Sequence, residues 1–284
     1  MQKHRSIVFL VIFVFLMAGT RGEAFVPQTP HLLHLVVNKI RRPQGMTVSQ
    51  TRKITSPTNV AEQTEPAPDI YLPETLTYFF PEHLRSDIRS GQVNRFYLLS
   101  DKGFVKVKEG RITALEKSLG EYYTDPLLYR DYEVFTRVLT ESGIDTEKVT
   151  FQRLEGKICY LIGQPAYGSD EMPGLWIEKD SFFPVRYLVK KGNRTVDIRY
   201  GNWQRVSRTW YPVETRILVD GILFAEIGVN QFELTSGASN QLFDIDAVLQ
   251  QYPRALEKGP ENTAHDGAIE NLDKDVDEFS KLYD

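Results

Sequence analysis

LWIEKDSFFPVRYLVKKGNRTVDIRY, residues 175–200, holds the strongest structural signal in the chain. Val185, Tyr187 and Val189 fall on alternate positions, with Arg186, Leu188 and Lys190 between them. Val196, Ile198 and Tyr200 repeat the pattern against Asp197 and Arg199, and Gly192-Asn193 separates the two runs. A period of two bounded by turn residues predicts strands with one apolar face. Strands joined by so tight a turn pair antiparallel. Leu175–Lys179 reads as a third strand before them, with Leu175 and Ile177 on one side.

The same pattern extends in both directions. Tyr211–Val219 and Ile222–Leu234 flank Asp220-Gly221, a two-residue hairpin signal. Leu223, Ala225, Ile227 and Val229 run along one side of the last strand. Toward the N-terminus, alternation begins at Met46 and resumes at Ile70–Phe80, Leu84–Ser90, Val93–Ser100, Gly103–Lys108, Val149–Leu154 and Lys157–Ile162. Gly201-Asn202 reads as another turn, and Pro57–Pro68 as a polar connection. Helical spacing is confined to His31–Ile40, Pro126–Ser142 and Leu242–Gln250. About ten or eleven strands with no βαβ rhythm predict a mainly β (α+β) fold: one large curved antiparallel sheet around a few helices.

Composition restricts the function classes. The chain has 284 residues, 41% hydrophobic, with a net charge of −4 and one cysteine. Nine acidic residues between Glu257 and Asp284 face only Lys258, Lys274 and Lys281, so the body is close to neutral. A neutral body with an acidic tail lacks the basic footprint of a nucleic-acid binder. Cys159 alone cannot build a disulfide framework or a cysteine-rich zinc site. Lys3, His4 and Arg5 precede the apolar run Ile7–Ala18, and Gly22-Glu23-Ala24 supplies small residues at a cleavage site. That is the pattern of a secretory signal peptide over residues 1–24, and the run is too short to span a bilayer. The expected organisation is a signal peptide (1–24), one domain (25–254), and an acidic tail (255–284) with an amphipathic helix over 269–283. In that helix Ile269, Leu272, Val276, Phe279 and Tyr283 form one stripe. The expected mature protein is soluble and exported.

No catalytic residue, metal ligand or cofactor is assigned. His31 and His34 sit three apart, but no acidic or cysteine ligand lies near them in sequence. No G-x-S-x-G elbow occurs. Cys159 reads as a small buried hydrophobe. Trp203 and Trp210 suggest either sugar stacking or rim packing. A broad sheet with one apolar face and few short helices leaves two options: an apolar cavity suited to an acyl chain, or an interior filled by side chains. The expected lining is Leu175, Ile177, Val185, Tyr187, Val189, Val196, Ile198, Tyr200, Leu223 and Ile227.

Leu175-Trp176-Ile177-Glu178-Lys179 followed by Phe183-Pro184-Val185-Arg186 resembles the paired strands of LolA-like and LolB-like outer-membrane lipoprotein-sorting proteins. Gly201-Asn202-Trp203, Trp210-Tyr211-Pro212 and Leu242-Phe243-Asp244 extend the resemblance over about residues 30–250, most strongly 173–246. The same superfamily includes the lipid-sensing domain of RseB. The resemblance implies an incomplete β-barrel closed by a helical lid, with a hydrophobic cavity for acyl chains. The segment 57–68 and the acidic tail depart from the family pattern, and no lid arginine can be matched. The function so implied is a periplasmic, non-enzymatic carrier of lipid or lipoprotein acyl chains, with envelope membrane proteins as donor or acceptor. A lipid-sensing adaptor is the alternative, and a secreted hydrolase a third. Oligomeric state is left open.

Overall fold

The structure is a computed structural model, and it describes residues 26–55, 69–91, 93–163, 172–236 and 240–255. The expected signal peptide, the connection 57–68 and the tail helix 269–283 lie outside the described residues.

Helix α1 (Thr29–Ile40) opens the described chain. Six strands follow: β1 (Gly45–Ile54), β2 (Ile70–Phe79), β3 (His83–Arg89), β4 (Asn94–Ser100), β5 (Gly103–Lys108) and β6 (Arg111–Ala114). A 3-10 turn (Leu119–Thr124) leads into α2 (Asp125–Leu128) and α3 (Tyr132–Glu141). The chain then returns through β7 (Val149–Leu154), β8 (Lys157–Gly163), β9 (Gly174–Glu178), β10 (Pro184–Lys191), β11 (Arg194–Val206), β12 (Thr209–Val219) and β13 (Ile222–Thr235). A 3-10 turn (Asn240–Phe243) and α4 (Ile245–Gln251) follow.

All the strands join one 13-stranded sheet in the order β6-β5-β4-β3-β2-β1-β13-β12-β11-β10-β9-β8-β7. The topology is two meanders that meet where β1 pairs antiparallel with β13. Every strand pair in the sheet is antiparallel, and the ends β6 and β7 are not joined, so the sheet is an unclosed barrel wall. Its inner face wraps around α1, the 3-10 turn, α2 and α3. The curl is visible at Tyr78 of β2 and Tyr211 of β12. Three strand spacings of about 4.8 Å separate these strands along the sheet, yet their hydroxyls meet at 2.9 Å.

The inner core is a single apolar cluster. Leu32, Leu33, Val36 and Ile40 of α1 and Phe135 and Leu139 of α3 press onto residues from both meanders. On the outer face, Ile245 and Val248 of α4 cover Leu98, Val105, Val107 and Ile112. Residues 253–255 continue this cover along the edge strand β6, where the Ala255 N–H donates to the Ile112 carbonyl at 2.9 Å. Asp220 (φ 51°) and Gly221 (φ 80°) both adopt the left-handed conformation that the β12–β13 hairpin requires.

Three local expectations differ from the structure. The single helix over Pro126–Ser142 is split at Tyr129–Asp131. The buried Arg130 guanidinium draws the chain out of register by donating to the carbonyls of Leu127, Arg41 and Trp210. Asp131 then caps α3 by accepting from the Glu133 N–H at 3.2 Å. Gly201-Asn202 is not a turn, because β11 runs through it to Val206. Asn202 (φ 49°) donates to Glu214 of β12 at 3.3 Å. The third difference is β6, a short edge strand that four residues could not signal.

Candidate functional site

The inner face divides into two halves. Strands β8–β13 form an apolar wall. Leu175, Ile177, Tyr187, Val196 and Ile198 are 0% exposed, and Val189, Tyr200 and Ile227 are buried beside them in the same cluster. Eight of the ten expected lining residues are thus brought together on one face. Tyr187 donates to the Ser142 hydroxyl at 3.0 Å and Tyr200 to the Tyr123 carbonyl at 2.8 Å, so both phenols among these eight residues have partners. The wall is covered by α1 and the helical segment 119–141 in the conformation described.

The other two lining residues lie elsewhere, and β-bulges account for both. Between Pro184 and Arg186 the β9–β10 register slips by one. Val185 therefore sits half-buried on the outer face, against Cys159, Leu161, Trp176 and Leu188. A second slip between Ile217 and Leu218 pairs Leu223 with Leu218, and Phe224 packs against the inner core instead. An extra residue in one strand inverts the alternation on that side of it.

Strands β1–β5 form the other half, and sequence reading assigned it no role. Here charged and polar residues interrupt the apolar stripes. Glu74 is fully enclosed and accepts from Gln50 at 2.7 Å, Ser86 at 2.6 Å, and the Arg52 Nη2 at 3.0 Å. Arg52 also donates to the Gly120 carbonyl at 3.1 Å. A Cβ at Gly120 would sit 3.1 Å from Phe224 and 3.3 Å from the Arg52 Nη1, so the 3-10 turn packs closely on both. Gln50 donates as well to the Tyr123 hydroxyl at 2.8 Å. Glu121 receives Lys106 at 3.1 Å and the Ser118 N–H at 2.7 Å. Arg95 approaches Glu121 at 3.7 Å and Glu74 at 3.9 Å.

Burial alone would raise both carboxyls. For Glu121 the positive charge of Lys106 and Arg95, with the Ser118 hydrogen bond, outweighs it and holds the carboxyl down at about 2. For Glu74, burial is likewise overcome by Arg52, Arg95 and the Ser86 and Gln50 hydrogen bonds, and its pKa is lowered. Asp125 behaves oppositely: burial dominates and raises it, although Lys117 lies 2.6 Å away.

The remaining candidates resolve into packing. His34 stacks on Tyr132 with ring centres 4.3 Å apart. Trp203 stacks on Phe183 at 4.6 Å, Trp210 leans on the same ring at 5.0 Å, and Lys39 of α1 lies over Phe183 and Trp210. Cys159 is 0% exposed, and burial raises its thiol pKa. Among the described residues no group of three or more His, Cys, Asp or Glu side chains could hold a metal ion, and no helix is long and apolar enough to cross a membrane. An open cleft of about 440 Å³ lies on the outer face, walled by Arg85, Asp87, Arg89, Phe96 and Tyr252. Its charged walls do not suit an acyl chain.

No family model matches the chain, and no curated protein sequence matches it. Solved structures do. A LolA superfamily protein from Nitrosomonas europaea superimposes with a TM-score of 0.52 at 11% identity, over 78% of this chain and 100% of that one. A domain named for outer membrane lipoprotein sorting from Vibrio parahaemolyticus gives 0.51 at 9% identity, over 77% and 97%. A DUF1329 family protein from Desulfovibrio piger gives 0.52 at 13% identity, over 78% and 97%. At such identities the likeness concerns the backbone and not the chemistry: the chain has the LolA-like fold, an unclosed antiparallel barrel wall wrapped around helices.

Proposed function

We propose that this chain is a periplasmic carrier that holds the acyl chains of a lipid or lipoprotein against its inner face for transfer toward the outer membrane. The observation that carries this reading is the wall itself: eight apolar residues from β9–β11 and β13 form one surface covered by short helices instead of a second sheet. The signal peptide pattern of residues 1–24 and the LolA-like fold support it. No cofactor and no bond-making chemistry are required.

The energetics allow exchange. Lifting α1 exposes Leu32, Leu33, Val36 and Ile40, on the order of 6–12 kcal/mol at about 1.5–3 kcal/mol for each buried side chain. A sixteen-carbon chain entering in its place recovers roughly 12 kcal/mol at about 0.8 kcal/mol per CH₂. Closed and loaded states are then near balance. That suits a carrier, which must release what it binds.

Native mass spectrometry of the protein purified from its exporting cell tests the proposal. The expected result is an adduct of lipid mass that organic extraction removes and a fluorescent acyl probe replaces. A bare mass together with no probe binding overturns the carrier. Turnover of an ester or glycan panel under those conditions would favour the hydrolase.

A further inference from the structure

Among the described residues, the charged half of the inner face carries more positive than negative charge. Arg52, Arg95 and Lys106 face Glu74 and Glu121, three cations against two carboxylates. Both carboxylates are already well supplied with donors. Arg95 is held at 3.7 and 3.9 Å from them, outside hydrogen-bond distance, and among the described residues its Nε and Nη2 have no acceptor. Two residues along the same face of β4, Tyr97 is 1% exposed and its hydroxyl has no hydrogen-bond partner among the described residues. Its cross-strand partner on β5 is Lys106. Three donors therefore converge on one patch with no acceptor assigned to Arg95 or Tyr97. Unsatisfied buried donors are uncommon in folded proteins and call for an explanation.

The patch also lies at a boundary. The side chains of Arg95 and Lys106 retain 18% and 12% exposure, while Tyr97 belongs to the apolar core cluster that continues to Tyr187 and Ile198. Tyr123 ties the two halves together, its hydroxyl to Gln50 and its carbonyl to Tyr200. A group bound at Arg95 would sit at the wet margin of the same face whose far side is wholly apolar.

We infer that Arg95, Tyr97 and Lys106 seat the anionic headgroup, a phosphate or carboxylate, of an amphiphile whose chains lie along the apolar wall. This rests on the lipid-binding reading above and adds the sign and chemistry of the headgroup. An oxyanion supplies the acceptors that Arg95 and Tyr97 lack and neutralises the surplus charge. Because the seat is largely enclosed, salt screens it less than an exposed pair.

Calorimetric titration of the full chain with decyl phosphate, decanol and inorganic phosphate, all below micelle-forming concentrations, tests the seat. Decyl phosphate is expected to bind at least about tenfold more tightly than decanol, since hydrogen bonds to a charged group are worth an order of magnitude or more. R95Q should abolish that preference and leave decanol binding within about twofold. Y97F, which removes only the hydroxyl, should reduce the preference by about three- to tenfold. Equal affinity of the wild type for decyl phosphate and decanol overturns the seat and leaves lipid binding standing. Binding of neither overturns the lipid-binding reading and the seat with it. Inorganic phosphate binding as tightly as decyl phosphate overturns the amphiphile and assigns the patch to a free anion. If R95Q does not fold, the wild-type ratio and Y97F decide the matter.

Discussion

The two halves of the inner face are built from the same alternating strands and solve burial in opposite ways. On β9–β11 the inward positions are Leu, Ile, Val and Tyr, and the wall is uniformly apolar. On β1 and β2 the inward positions begin as Met46, Val48, Leu76 and Tyr78 and then change to Gln50, Arg52 and Glu74. An apolar wall gains from burial without regard to orientation, so it can exchange one covering apolar surface for another. The charged half cannot. Arg52 and Glu74 tolerate burial only while each hydrogen bond is in place, because the desolvation cost of a lone buried charge exceeds anything nearby packing returns. One half is suited to exchange and the other to holding the fold, and to holding the 3-10 turn on it through Gly120.

The contrast is broken most directly at Glu74. E74A leaves Arg52 buried without its anion and is expected to cost about 3–5 kcal/mol in urea unfolding. R52M/E74L removes both charges and should recover most of that loss, which would show that the penalty comes from an orphaned charge and not from lost packing.

The apolar half should respond differently. I198A is expected to cost about 2–4 kcal/mol by opening a cavity. Decanol should restore part of that stability in the variant, because an apolar ligand can refill an apolar void, and it should restore none in E74A. Equal rescue of both variants would erase the distinction between the halves.

Acid titration separates the halves by charge. The Glu121 carboxyl titrates near 2 in the folded chain against an ordinary value of 4.5. Its contribution, on the order of 3 kcal/mol, is fully present above pH 4.5 and is lost as pH falls from 4.5 toward 2. Glu74 acts in the same direction. Asp125, whose pKa is raised, acts in the opposite one: its contribution is lost as pH rises through its folded pKa. E121Q should therefore flatten the acid limb of the stability curve and barely affect the curve's slope above pH 6.

The smallest effect tests the bulge. V189T places a hydroxyl in the inner wall and should cost about 1–2 kcal/mol, whereas V185T, half-buried on the outer face, should cost less than about 1 kcal/mol. Equal costs would put Val185 back on the wall.

Much of this was legible along the chain, and the failures are local and physical. Val189, Val196 and Ile198 lie in uninterrupted pairing, where Val189 faces Val196 and Tyr187 faces Ile198, so alternation alone assigns them to one face. Val185 and Leu223 each sit beside a one-residue slip that follows from how two strands meet, not from either strand alone. The charged half did leave a trace. Gln50 and Arg52 continue the inward phase of Met46 and Val48, and Glu74 interrupts Leu72, Leu76 and Tyr78. A charge in an apolar phase is a signal that a buried partner exists, although its identity is not written nearby.

Alternation, turn residues and hairpin spacing act over two to ten positions, so residues 45–235 alone specify an antiparallel meander with one apolar face. The pairing of β1 with β13, the bulges, the break at Arg130 and the meeting of Arg95 with Glu74 and Glu121 join segments that are far apart in the chain or lie on different strands. Those contacts depend on sheet curvature and on the desolvation of charge in a closed interior, and both arise only once the two meanders have come together around the helices.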